Sequence, residues 1–124
     1  MKRAKDYAKN VACLESLWDK DIVENNQRAS VVPILELLSK TVEDFKFSHF
    51  TCNTRGELEY NLTTLKKLKK KKKYGILYLS FHGAPGQIHL ADDTKISLEE
   101  LADLMGQKFA GWVVHFGSCS TVRI

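Results

Sequence analysis

A chain of 124 residues, 44% hydrophobic and 27% charged, has the size and composition of one soluble globular domain, which excludes disordered, fibrous and collagen-like classes. Its net charge of +4 is a local excess: seven of its lysines fall between Lys66 and Lys73, and the rest of the chain is slightly acidic. Three cysteines without metal-ligand spacing argue against a disulfide scaffold, and Lys2, Arg3, Lys5 and Lys9 precede no long apolar segment, so no leader or membrane span is expected and a cytoplasmic protein is.

In chain order, Tyr7 to Trp18 holds the apolar run VACLESLW and predicts a first strand, with a helix over Ala4 to Trp18 as the alternative. Polar residues Asp19 to Gln27 predict a loop. Ser30 is placed to cap a helix whose apolar positions Val31, Ile34, Leu35, Leu38, Val42 and Phe45 keep an i, i+3, i+4, i+7 rhythm, with Pro33 tolerated in the first turn. Phe47 to Cys52 predicts a second strand. Thr54 and Glu57 have capping-box spacing, and Leu58, Leu62, Leu65 and Leu68 follow on one face of a second helix.

Tyr74 to Phe81 predicts a third strand, followed by a loop containing Ala84, Pro85 and Gly86. Gln87 to Leu90 predicts a short hairpin strand that turns at Asp92 and Asp93. Ser97 and Glu100 form another capping box, opening a helix along Leu98, Leu101, Ala102 and Met105 that Gly106 ends. Val113 to Phe116 predicts the fourth strand. This order implies an α/β fold with a mostly parallel sheet of about four strands and flanking helices. Nothing repeats and no linker divides the chain, so residues 1–124 are expected to be a single domain.

Two stretches carry chemistry. YGILYLSFHGAPG, Tyr74 to Gly86, is a buried-strand pattern running into a histidine and a glycine-rich turn; WVVHFGSCST, Trp112 to Thr121, is a second apolar run stopping on a cysteine. Parallel strands deliver functional groups at their carboxyl ends, so His82 and Cys119, with 36 residues between them, are expected to be neighbours in space. An imidazole that accepts the thiol proton makes a nucleophile of it. Gly83 permits close approach of backbone to substrate and offers its N–H to an oxyanion, for which the Cys119 N–H is the natural second donor.

The pairing of SFHG, Ser80 to Gly83, with GSCST, Gly117 to Thr121, resembles the caspase-like (clan CD) cysteine peptidases, which include caspases, metacaspases, clostripain, gingipain, separase and the bacterial CHAT-domain proteases. The CHAT branch is most similar, since its nucleophile commonly lies in a Ser/Ala-Cys-Ser/Thr context. The resemblance covers nearly the whole chain and implies a three-layer α/β/α fold, His82 as general base, Cys119 as nucleophile and Gly83 in the oxyanion hole. It implies peptide-bond hydrolysis in protein substrates without a cofactor, in a regulated signalling, cell-death or defence role. In that family further strands follow the nucleophile. This sequence ends five residues after Cys119, so a large-subunit-like piece is expected, with its sheet completed by a second chain or dimer, or else an idle relative.

Substrate selection is the least legible part. Caspases recognise an acidic residue with arginines, one of them in the loop before the first helix, where this chain has Arg28 in NNQRAS. Relatives that cut after basic residues use an acidic pocket, for which Asp92 and Asp93 are candidates, although a turn explains both. Cys13 and Cys52 read as buried thiols, and His89 and His115 as packing or surface residues. A zinc site built from His82, His89, His115 and Cys119 fits no compact ligand spacing. The Lys66 to Lys73 run reads as a solvated helix end that complements the helix dipole; a nucleic-acid or membrane-surface site is the alternative, and idle partner-binding scaffold is the other non-enzymatic reading.

Overall fold

The computed structural model describes residues 10–17, 30–72 and 74–117, with backbone alone for residues 68–72. In chain order the elements are β1 (Asn10–Glu15), α1 (Val32–Thr41), β2 (Phe47–Thr51), α2 (Arg55–Lys72), β3 (Tyr74–Ser80), β4 (His82–Ala84), β5 (Gln87–His89), β6 (Lys95–Ser97), α3 (Leu98–Met105) and β7 (Val113–Phe116). Four strands form an entirely parallel sheet in the order β2-β1-β3-β7, and β4, β5 and β6 form a small antiparallel sheet. The expected parallel α/β architecture is present.

β1 is central, with apolar residues on both faces from Val11 to Leu14, and all six of its residues are buried. Side chains alternate across a strand, so Ala12 and Leu14 face one layer while Val11 and Cys13 face the other. The first layer is α2 and α3, whose Leu58, Leu62, Leu65 and Leu101 pack with Leu77 and Leu79 of β3 and with Ile88 and Ile96 of the small sheet. The second is α1, whose Leu35 meets Val11 and Cys13. This is a three-layer α/β/α arrangement. Burying a leucine contributes about 1.5–3 kcal/mol, so the leucines of α2 dominate the first layer.

Local signals act largely as the sequence predicts. Thr54 Oγ1 accepts the Glu57 N–H at 3.1 Å, and Glu57 Oε1 accepts the Asn53 N–H at 3.1 Å, one residue earlier than an ideal capping box. Ser97 Oγ accepts the Glu100 N–H at 3.1 Å, and α3 ends at Gly106 with φ 62°.

Three expectations are corrected. The first strand, expected over Tyr7 to Trp18, spans Asn10–Glu15 and ends where the Ser16 hydroxyl and the Leu17 N–H turn to Asn53, and residues 1–9 and 18–29 lie outside the described residues. The cap position of the helix after it is Val31, one residue later than Ser30, whose hydroxyl donates to Glu15 and still accepts the Val32 N–H at 3.2 Å; the periodic residues Ile34, Leu38 and Val42 remain exposed because α1 rests on the sheet through Leu35. The segment after the third strand is no open loop. His82 starts β4, which pairs with β5 around the Pro85–Gly86 turn, and Lys95–Ser97 adds a third strand.

Among the described residues no helix is long and apolar enough to cross a membrane.

Candidate active site at the carboxyl end of the sheet

From β1 the chain moves outward to β2, and from β3 it moves the opposite way to β7, so the connections diverge between β1 and β3. In an open α/β sheet the crevice at such a point, outside the carboxyl ends of the strands, is where ligands bind. Residues Glu15, Ser16, Ser80, Phe81 and His82 occupy this end.

β3 and β7 are hydrogen-bonded parallel neighbours in the register Ile76↔Val113 to Leu79↔Phe116, extended by a bond from Gly117 N–H to Leu79 O of 2.8 Å. The two strands therefore leave the sheet side by side, β3 toward His82 and β7 toward Cys119. Cys119 itself lies outside the described residues, as do Arg28 and the side chains of Lys69 to Lys73. Gly117 is required by contact: a Cβ there would meet Tyr78 Oη at 2.6 Å.

His82 is exposed and stands across from His89 in the β4–β5 ladder, with His89 in turn across from Lys95. The ladder alternates between bonded and non-bonded pairs. Ala84 and Gln87 flank the two-residue turn as a bonded pair, so Gly83↔Ile88 is non-bonded and the Gly83 N–H is directed away from β5. Consistently, β5 bonds β6 through alternate positions, with Leu98 N–H to Gly86 O at 2.9 Å and Leu90 N–H to Thr94 O at 2.9 Å. His89 Nε2 is buried and has no hydrogen-bond partner among the described residues. His115 stacks on Tyr78 with ring centroids 5.0 Å apart.

The remaining candidates are accounted for locally. Asp92 Oδ1 accepts the Thr94 N–H at 3.0 Å in a turn where Asp93 has φ 68°, and the Thr94 hydrogen bonds hold the Asp92 carboxyl below its usual range. Lys66 Nζ donates to Leu104 O at 2.7 Å, closing the carboxyl end of α3, so at least this lysine of the run is structural. Burial, aided by Glu15, pushes the Cys13 thiol up to about 12; burial pushes Cys52 up to about 11 against a lowering hydrogen bond from Asn61. Neither is a nucleophile near neutrality. No group of three His, Cys, Asp or Glu among the described residues is placed to hold a metal.

The densest polar cluster is one that residue spacing does not reveal. Glu15, with a fully buried side chain, accepts at Oε1 from Ser30 Oγ at 2.8 Å and His49 Nε2 at 2.8 Å, and at Oε2 from the Val31 N–H at 2.9 Å and Ser80 Oγ at 3.1 Å. It joins the ends of β1 and β3, strand β2 and the start of α1. The one visible signal was a carboxylate inside an apolar strand pattern, VACLESL. The cluster is not a serine nucleophile with its base: the imidazole bonds the carboxylate, and both hydroxyls donate to that same carboxylate.

The model of a family of unknown function, DUF6642, matches residues 8–124. A crystal structure of caspase-1 from Spodoptera frugiperda is similar over 94% of this chain, with 18% sequence identity and a TM-score of 0.46; the chain spans 51% of that caspase's own length. No curated protein matches the chain.

Proposed function

The chain belongs to the DUF6642 family of unknown function, and from that premise we propose that it is a single caspase-like cysteine peptidase domain, nearest in motif to the CHAT branch. The observation that carries this reading is the pairing of β3 with β7, which brings the strands leading to His82 and to Cys119 out of the sheet as neighbours. Two further observations support it: the outward direction of the Gly83 N–H, and the raised thiols of Cys13 and Cys52, which leave Cys119 as the cysteine suited to attack.

In the reaction, Cys119 yields its proton to His82 and its sulfur bonds to the scissile carbonyl carbon. The carbonyl oxygen takes the negative charge between the Gly83 and Cys119 N–H groups. His82 gives the proton to the departing amine as the C–N bond breaks. Water, deprotonated by His82, then cleaves the thioester to acid and thiol. Neither metal nor organic cofactor takes part. The substrates are peptides or proteins, with Arg28 as a candidate selector, in a cytoplasmic, regulated setting.

The test is reaction with peptidyl electrophiles bearing Asp, Arg, Lys or Leu at the reactive position, read by intact mass. Labelling confined to Cys119 and lost in His82→Ala is the expected result. Labelling of all three cysteines irrespective of His82 would sink the peptidase reading.

A second reading is a catalytically idle scaffold whose sheet is completed by a partner or second copy. Its support is that β7 is an edge strand among the described residues, with Val113 64% exposed. Under it, Cys119→Ala retains biological activity. A nucleic-acid or membrane-surface role through Lys69 to Lys73 predicts instead that neutralising those lysines abolishes function.

A further inference from the structure

We propose that Glu15 is a positioning residue that sets the exit of β3, and thereby the placement of His82 and Gly83; this rests on the peptidase reading above. Ser80, the last residue of β3, is held twice by the end of β1: its hydroxyl donates to Glu15 Oε2 at 3.1 Å, and its carbonyl accepts the Ser16 N–H at 3.0 Å. Phe81, buried in the leucine core, follows, and then His82. On the other side of β3 the bond from Gly117 N–H to Leu79 O ties the same exit to β7. The β3 exit is thus fixed relative to both β1 and the strand that leads to Cys119.

The choice of a carboxylate is the informative part. A fully buried Glu with four donors is a poor device for stability, because well-packed apolar residues in its place are often neutral or better. What four convergent donors provide and apolar packing does not is a directional register among β1, β2, β3 and the start of α1. His49 completes that register from β2, its Nε2–H donating to Oε1. The cluster sits at the divergence between β1 and β3, and its member Ser80 lies two residues before His82 in the chain. That is the arrangement of a support for reacting groups, not of a reacting group.

Ser80→Ala removes only the tie to β3 and leaves Glu15 its bonds to Ser30, Val31 and His49. Its expected phenotype is a melting temperature close to wild type, with a rate of Cys119 alkylation by the preferred peptidyl electrophile lower by about tenfold to a hundredfold and a displaced pH profile, as a misplacement on the order of 1 Å produces. Ser80→Thr keeps the hydroxyl and restores both. Ser30→Ala, which releases α1 alone, changes the rate less. In parallel, the His82 ring resonances of histidine-labelled protein are titrated in wild type, Ser80→Ala and Glu15→Gln, which reads the placement of His82 whether or not the chain has peptidase activity. Displaced His82 shifts and midpoint in the folded variants support the proposal. A His82 titration identical in all three overturns it, even where the wild type is an active peptidase; an unreactive Cys119 in wild type overturns the peptidase reading and leaves the titration to decide the role of Glu15.

Discussion

The two faces of the parallel sheet are built on different terms. Toward α2 and α3, Ala12, Leu14, Leu77 and Leu79 meet Leu58, Leu62, Leu65 and Leu101 in one apolar cluster, with Ser48 and Ser16 at its margins. Toward α1 the sheet is graded. Its first cross-strand row, Val11, Phe47, Ile76 and Val113, is apolar; the next is Cys13, His49, Tyr78 and His115; the last, Glu15, Thr51 and Ser80, is polar. One face is specified by volume and the other by hydrogen-bond direction. The directional face turns polar at the carboxyl ends of the strands, the end from which β3 runs on to His82.

The largest effects should separate these terms. Glu15→Ala leaves His49, Ser30, Ser80 and the Val31 N–H without their acceptor, and a loss of about 3–5 kcal/mol is expected in urea unfolding. Leu62→Ala in the apolar cluster is expected to lose about 2–5 kcal/mol through transfer and cavity terms. The contrast lies in rescue: a larger apolar neighbour recovers part of the Leu62 loss, whereas no apolar substitution restores His82 reactivity after loss of Glu15. An equal rescue of both would erase the distinction between the faces.

Gly117→Ala probes the seam between the site and the α1 face. The new Cβ meets the Tyr78 ring, so about 1–3 kcal/mol is expected as an overpacking cost, partly recovered when Tyr78→Ala is added. Full additivity of the two changes in a double-mutant cycle would show that the contact is not the cause.

A pH effect is smaller and has a definite sign. Cys13 and Cys52 hold their protons more tightly in the fold than their ordinary value of 9.0, so above that pH the unfolded chain releases protons the folded chain keeps. Stability is fully present below about pH 9 and falls toward pH 11–12. Urea midpoints at pH 8 and 10.5 check this, and Cys13→Ala combined with Cys52→Ala should flatten the slope. The smallest effect is expected on the outer side of α1: Ile34→Ser, at a position 62% exposed, should change stability by no more than about 0.5 kcal/mol.

These contrasts follow what sequence makes visible. Capping at Thr54 and Ser97, the turn at Asp92 and the strand runs were readable because each depends on residues within a few positions of one another. The cluster on Glu15 was not, since Ser30, His49 and Ser80 lie 15, 34 and 65 residues from it and no local spacing relates them. Short strands β4 and β6 were hidden because three residues carry no period, and His-Gly-Ala reads as loop. Periodicity in α1 identified residues that share a helix face; it does not reveal that Ile34, Leu38 and Val42 of that set stay exposed. The neighbouring exits of β3 and β7 were legible, because apolar runs ending in small residues mark strand ends whatever the intervening chain does.

The centrality of β1 also bears on how the protein is made. Its two ladder partners are β2 and β3, and the latter is complete only at Ser80. At about 5–20 residues per second, a ribosome needs roughly 3–13 s to pass from the end of β1 to the end of β3. Throughout that interval the run NVACLE has at most one neighbour and an unpaired edge. Among the described strands, the one with all of its residues buried in the finished molecule is therefore the one that waits longest in the nascent chain for its second neighbour.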